Sequence, residues 1–384
     1  MIGLGLLVLA IWLTLVVARG KFWACLDTDF TPAPEPANWP AVVAVVPARD
    51  EAEVIARSLT SLLAQDYPGD FHVVLADDQS GDGTADIARA LPNAEKLRVL
   101  DGAALPPGWA GKLWAVAQGL RFARENFAPK YLLLTDADIF HEPGNLRALV
   151  SRAEAGSYGL VSLMALLRCE SFAEKLLIPA FVYFFQMLYP FRWTRDPRKK
   201  TAGAAGGCML VRDDLLEAAG GIESIKGALI DDCALGARMK RQGPVWLGLT
   251  RSAVSLRPYP RLSDIGKMIS RSAYAQLKFS PLLLAGAMMG MVLTYLAPVW
   301  LALRAPGAAG MCGALAFGLM VASFMPINRF YGLSRARAPL LPLIAAIYMV
   351  YTLRSALDYY RGRGGMWKGR AQAPRQNARK LGEA

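Results

Sequence analysis

The chain has 384 residues, 54% of them hydrophobic, a mean hydropathy of +0.27 and a formal net charge of +12 at pH 7. The apolar content exceeds what a soluble enzyme needs, and the length accommodates one α/β domain of about 240 residues beside membrane segments. Two histidines, His72 and His141, rule out a histidine-rich metal site, and five cysteines without a CxxC pair fit reduced thiols rather than disulfides or zinc.

Residues 1–18 are uncharged, are followed by Arg19 and Lys21, and lack a small-residue cleavage site, which predicts an uncleaved transmembrane anchor rather than a signal peptide. Pro32, Pro34, Pro36 and Pro40 forbid helix and central strand, so 19–40 reads as a stiff linker. A βαβ pattern follows. Apolar runs at 42–46 and 71–75 flank 53–64, where Val54, Ile55, Leu59, Leu62 and Leu63 recur at helical spacing. The first run ends in Pro47-Ala48-Arg49-Asp50-Glu51 and the second leads into Asp77-Asp78-Gln79-Ser80; a third, 132–134, ends in Thr135-Asp136-Ala137-Asp138. Parallel strands gather their C-terminal loops along one sheet edge, where open α/β folds bind ligands, so these three polar ends are predicted to share one crevice. Two carboxylates one residue apart at a strand end suit a hard divalent cation that leaves positions open for phosphate oxygens. Taken alone, an acidic strand-to-helix loop is the simpler account of that Asp-x-Asp.

Lys112 follows Gly108-Trp109-Ala110-Gly111 and opens a predicted helix, where its ammonium and the helix N-terminus can both face phosphate; a solvated surface lysine is the plainer alternative. The apolar stretch 172–191 is interrupted by Glu174, Lys175 and Pro179 and followed by Arg192, Arg195, Arg198, Lys199 and Lys200. That predicts an interfacial helix with a polybasic flank rather than a spanning one, with Leu176, Leu177, Phe181, Phe184, Phe185 and Leu188 towards the bilayer. Gly203, Gly206 and Gly207 form a small-residue turn into 208–211, and Asp231-Asp232 head a helix running to about Gln242. By themselves these two aspartates are a helix-capping pair. The runs 281–303 and 305–328 predict a transmembrane hairpin, and 338–353 is a shorter apolar run that is tilted, extended past Arg354, or re-entrant.

The ordered set Val46-Pro47-Ala48-Arg49-Asp50-Glu51, Asp77-Asp78-x-Ser80, Gly108-Trp109-x-Gly111-Lys112, Asp136-Ala137-Asp138, the glycine-rich 203–208 segment and Asp231-Asp232 resembles the inverting family-two glycosyltransferases of GT-A fold, over roughly residues 40–280. Within that family it is most similar to the membrane-bound branch of ceramide, carotenoid and hopanoid-biosynthesis-associated glycosyltransferases; Gly108–Lys112 and the terminal Gly-Gly-Met-Trp-Lys-Gly-Arg at 364–370 point to the hopanoid-associated member. The resemblance implies a Rossmann-like α/β nucleotide-diphospho-sugar transferase domain with flanking transmembrane helices. It implies that Asp77 and Asp78 bind the base and ribose of a nucleotide sugar, expected to be a UDP-sugar, and that Pro47, Ala48 and Glu51 shape the base pocket. Asp138, with Asp136, would hold Mg²⁺ or Mn²⁺ on the diphosphate, and Lys112 would face the phosphates. Asp232 would be the general base on the acceptor hydroxyl, supported by Asp231. The family's Gln-x-x-Arg-Trp is replaced by Met268-Ile269-Ser270-Arg271-Ser272, which keeps Arg271 for the leaving diphosphate and argues against a processive polysaccharide synthase. An interfacial arginine on an amphipathic helix is the other reading of Arg271.

The expected organisation is an anchor at 1–18, a linker at 19–40, the transferase domain at 41–280 including the interfacial segment 172–200, transmembrane segments at 281–357 and a basic tail at 358–384. Basic residues at 19–21, 192–200 and 329–337 place a multi-pass protein in the bacterial inner membrane with its catalytic domain cytoplasmic. They flank apolar runs and match no nucleic-acid-binding signature, so the partners are a lipid acceptor and the membrane, with no nucleic acid. The basic tail also favours the cytoplasm, whereas three full crossings after the domain would put it outside, so one apolar run is expected not to span. A polyprenyl phosphate, a ceramide-like lipid or a carotenoid competes with a hopanoid as acceptor. A non-catalytic partner of the same fold in a lipid-synthesis complex is the alternative from another class.

Overall fold

The computed structural model describes residues 1–92 and 94–362, and beyond them the backbone of two short paired strands, Met366–Trp367 and Arg370–Ala371. Most of the 364–370 motif and of the basic tail therefore lies outside the described residues. The chain divides into two compact units. One holds Asp27–Leu167 and Thr194–Arg257; the other holds Met1–Leu26, Arg168–Trp193 and Pro258–Gly364.

The first unit is built on one sheet of eight strands: β1 (Val42–Ala48), β2 (Phe71–Asp77), β3 (Leu97–Asp101), β4 (Tyr131–Thr135), β5 (Ile139–His141), β6 (Leu160–Leu166), β7 (Cys208–Arg212) and β8 (Val245–Ser255). Their order is β3-β2-β1-β4-β7-β6-β8-β5. β1 runs parallel to β2 and β4, whereas β7 is antiparallel to both β4 and β6. All seven residues of β1 are buried, as a strand covered on both faces requires. Alternate residues divide between two cores. Val42, Ala44 and Val46 pack with Ile55, Leu59 and Leu62 of helix Ile55–Leu63, while Val43 and Val45 pack with Leu113, Val116 and Leu120 of helix Gly111–Phe127. Burying each such leucine, isoleucine or valine is worth about 1.5–3 kcal/mol. Gly119 lets the second helix lie close on the sheet, because a Cβ there would stand 2.5 Å from Val45 Cγ1. Part of the expected linker is sheet-bound: the backbone of Asp27 and Asp29 hydrogen-bonds Leu249 of β8.

The second unit is helical. Four helices are long and apolar enough to cross a membrane: Phe172–Arg195, Pro281–Arg304, Gly307–Phe330 and Arg335–Tyr360; Ile2–Ala18 is a shorter apolar helix. Buried polar side chains here find partners inside the unit, as apolar surroundings demand. Trp12 Nε1 donates to Thr294 O at 2.7 Å, Tyr348 Oη to Leu177 O at 2.9 Å, and Tyr183 Oη lies 2.7 Å from Ser323 Oγ.

Three expectations change. The block 41–280 is not continuous, since 168–193 and 258–280 fold with the helical unit. The apparent interruption of 172–191 is a helix start: Glu174 closes a capping box with Ser171 and accepts from the backbone N–H of Tyr259 at 2.7 Å, and the helix then runs through Pro179. Of its six apolar residues expected towards the bilayer, Leu176 and Leu177 are instead buried, and Phe184 packs edge-on against Tyr295 and Tyr348. Finally, length does not single out a run that fails to span: the run 338–353 takes one of its expected forms, extending past Arg354 to Tyr360, with Asp358 facing Arg354 one turn away.

Candidate active site

The strand order explains why distant residues meet. With β2, β1 and β4 adjacent and parallel, the loops 47–51, 77–80 and 136–138 leave the same edge of the sheet. Because β7 is antiparallel to β4, its first residue, Cys208, pairs with the last of β4, Thr135, which delivers the 203–207 turn to that edge. β5 and β8 are also antiparallel, and Ile139 pairs with Ser255, so the residues just past β8 arrive beside Asp138. A backbone hydrogen bond marks the approach: Leu256 N donates to Asp138 O at 2.7 Å.

Lys112 stands in the first turn of helix Gly111–Phe127. Its Nζ lies 2.8 Å from Asp136 Oδ1 and 3.1 Å from Asp231 Oδ2, and Pro47 and Gly206 line the same crevice. Burial opposes the ammonium, but the charges of Asp136 and Asp231 outweigh it and hold Lys112 above the usual lysine range. Burial pushes the Asp136 carboxyl up, against the pull of Lys112. Asp232 is held by backbone amides: Gly206 N donates to its Oδ2 at 3.0 Å and Cys233 N to its Oδ1 at 2.7 Å. Burial and the neighbouring Asp231 charge raise Asp232 to about 6, against the opposing effect of Lys112 and the two amides. A carboxylate with that proton affinity is well matched to abstracting a proton near neutral pH.

A second set of charges lies at Asp138. Arg257 Nε donates to Asp138 Oδ2 at 2.8 Å, and its Nη2 reaches Glu51 Oε1 and Oε2 at 2.7 and 2.8 Å. Glu51, expected in a base pocket, is thus also the partner of a guanidinium. The loop after β2 is tied to the one after β1. Asp77 accepts from Ser80 N and Oγ at 3.0 and 2.6 Å, Arg49 donates to the Asp78 carbonyl, Asp50 N donates to Ser80 Oγ at 2.9 Å, and Ala48 O accepts from Asp78 N at 2.7 Å. Asp78 is fully buried.

The structure therefore brings Pro47, Lys112, Asp136, Asp231 and Asp232 together, and joins Asp138 and Glu51 through Arg257. Asp77, Asp78 and Ala48 lie on the adjoining loops. Arg271 is on helix Leu262–Gln276 of the helical unit, with an exposed side chain. Arg257 is a site residue that the sequence pattern does not single out. Its one signal is that the strand-like run 245–255 is followed, as the other three strands are, by a charged residue, here Arg257 before Pro258. Among the described residues, no three His, Cys, Asp or Glu side chains converge as an all-protein metal cage.

The chain is similar to known proteins in sequence and in fold. Residues 43–220 match the family described as Glycosyl transferase family 2. Over 211 residues the chain is 28% identical to 4,4'-diaponeurosporenoate glycosyltransferase of Staphylococcus aureus (strain MRSA252); the match covers 53% of this chain and 52% of that protein, so the chain spans about half the length of the curated relative it matches. Among solved structures it resembles the mannosyltransferase PcManGT from Pyrobaculum calidifontis, solved in complex with GDP-Man and Mn2+, at a TM-score of 0.55 and 19% identity, covering 93% of this chain and 98% of that one. The likeness to PcManGT is one of fold. The mixed α/β sheet and this likeness show a Rossmann-like GT-A fold, and within it residues 43–220 are similar to glycosyl transferase family 2.

Proposed function

We propose that this protein is an inverting glycosyltransferase that moves a sugar, a hexose, from a nucleotide-diphosphate sugar to a membrane lipid, in hopanoid or related lipid biosynthesis. The observation that carries the reading is Asp232: a carboxylate gripped by two backbone amides, raised in proton affinity, beside an ammonium shared by Asp136 and Asp231. Asp232 takes the acceptor hydroxyl's proton as that oxygen attacks the anomeric carbon from the face opposite the leaving diphosphate, which inverts the centre. Asp231, tied to Lys112, holds the local charge in place. Asp77 and Asp78, on loops stitched to Pro47–Glu51, bind the nucleoside.

The donor set fits a divalent cation. Asp136 and Asp138 offer hard oxygens, and Mg²⁺ or Mn²⁺ sites in such enzymes combine one or two carboxylates with substrate phosphates and waters rather than a protein cage. When bound there, the ion neutralises charge on the leaving diphosphate. Lys112 and the N-terminus of its helix add positive potential on the same side.

The four long apolar helices and the basic segments beside them support a multi-pass protein of the bacterial inner membrane with a cytoplasmic catalytic domain. A carotenoid acceptor is the second reading, favoured by the name of the Staphylococcus relative. The test is transfer from UDP-glucose, UDP-N-acetylglucosamine and GDP-mannose to a hopanoid alcohol, a carotenoid acid and a polyprenyl phosphate in vesicles, with product anomers read by NMR. Transfer to the carotenoid alone would replace the hopanoid reading. No transfer by any pair, or a retained anomer, would reject the reaction as stated.

A further inference from the structure

The catalytic loops are joined by a buried polar chain that the proposed reaction does not use. Thr135, the last residue of β4, has its Oγ1 2.8 Å from Gly207 O and 2.9 Å from His141 Nε2; on the other side of the ring, Asn145 Nδ2 lies 2.8 Å from His141 Nδ1. Thr135, His141 and Asn145 are each at most 2% exposed. Asn145 Nδ2 also approaches Cys208 Sγ at 3.8 Å.

The direction of every proton follows from one group. A carbonyl only accepts, so the Thr135 hydroxyl donates to Gly207 O. Its oxygen must then accept from the imidazole, which puts the ring hydrogen on Nε2 and leaves Nδ1 bare to accept from the Asn145 amide. Burial lowers His141 to about 3, which agrees with a neutral ring. The two ends of this chain are the loops of the site. Thr135 immediately precedes Asp136, and Gly207 immediately follows the glycine whose N–H holds Asp232. The glycine turn also packs closely on the sheet, since a Cβ at Gly207 would stand 3.2 Å from Ala165 Cβ and 3.3 Å from Ile139 Cδ1.

We propose that His141, as its Nε2–H tautomer, is a positioning residue that sets the spacing between the Asp136 loop and the Gly206–Asp232 contact through the Thr135 hydroxyl. The proposal rests on the transferase reading for its kinetic consequence, but its chemistry can be tested without it. His141 and His72 are the chain's two histidines, so ¹⁵N-histidine labelling of the full-length protein in nanodiscs yields two ring systems. His141 is expected to show the Nε2–H pattern unchanged from pH 5 to 9, and Thr135→Val to alter it. An Nδ1–H pattern, or titration across that range, would overturn the relay.

The kinetic arm compares Thr135→Val, which keeps the shape and loses the hydroxyl, with Thr135→Ser, which keeps it. Using whichever of UDP-glucose, UDP-N-acetylglucosamine or GDP-mannose the wild type turns over, Thr135→Val and His141→Phe should lose roughly 10- to 100-fold in kcat with donor KM within about threefold, and Thr135→Ser should stay near wild type. Equal losses in the Val and Ser variants, or kcat retained in Thr135→Val, would overturn the positioning role. A wild type that turns over none of these donors, with the predicted ring spectrum intact, would instead remove the transferase reading.

Discussion

The loop after β4 and the head of helix Asp231–Gln242 each bring two aspartates to the crevice, and they handle buried negative charge differently. In the loop each carboxylate faces a cation, Asp136 with Lys112 and Asp138 with Arg257. At the helix head Asp231 shares Lys112, while Asp232 is held by the N–H groups of Gly206 and Cys233. Burial raises the proton affinity of both Asp136 and Asp232 and the charge of Lys112 opposes it at both, so what separates them is contact: Asp136 touches the ammonium, whereas Asp232 is oriented by two backbone amides. That contact difference leaves Asp136 and Asp138 facing cations and Asp232 oriented without one.

Asp232→Asn tests that separation most severely. It should lower kcat by roughly two to four orders of magnitude while nucleotide-sugar affinity, measured by calorimetry, stays near wild type. An equal loss of donor affinity would move Asp232 into the donor pocket. Asp138→Asn comes next, with an expected loss of about 10²–10³ in kcat and an intact fold by circular dichroism. EDTA should abolish wild-type turnover and Mn²⁺ should restore it; activity indifferent to EDTA would refute the metal assignment.

A milder break is Lys112→Met. The base must be ionised to work, so wild-type kcat should fall as pH drops through about 6. Lys112 favours the ionised form of Asp232, so its loss should move this acid limb to higher pH. At any pH below the limb, kcat then falls roughly tenfold for every pH unit by which the limb has moved. A pH–kcat profile with an unmoved limb would show that Lys112 does not govern the base. The smallest effect is expected from Gly236→Ala in the same helix. Its Cβ would stand 2.9 Å from Gly203 C and 3.1 Å from Ala204 N, both backbone, costing about 1–3 kcal/mol by overpacking. Thermal unfolding should register this as a drop in Tm, and an unchanged Tm would mean the helix and the glycine turn are not in fixed register.

Much of this was legible in the residues alone, because it depends on local periodicity. Apolar runs ending in polar residues mark β1, β2 and β4, and parallel neighbours must release their loops at one edge, so the meeting of 47–51, 77–80 and 136–138 follows from the order of elements. Glycine recurrence at 203–207 and paired aspartates at 231–232 likewise announce a turn and a helix head. Tertiary structure decided which charge meets which. Arg257 reaches Asp138 and Glu51 because β8 lies antiparallel to β5, a pairing between segments more than a hundred residues apart that no local pattern encodes. It likewise gave Glu174, which caps its own helix locally with Ser171, a second partner in the backbone N–H of Tyr259, and buried Leu177 among helices rather than on lipid. Hydrophobic spacing tells a segment which face to bury; the partner that covers the face, and hence each buried charge's counterion, is chosen by long-range packing.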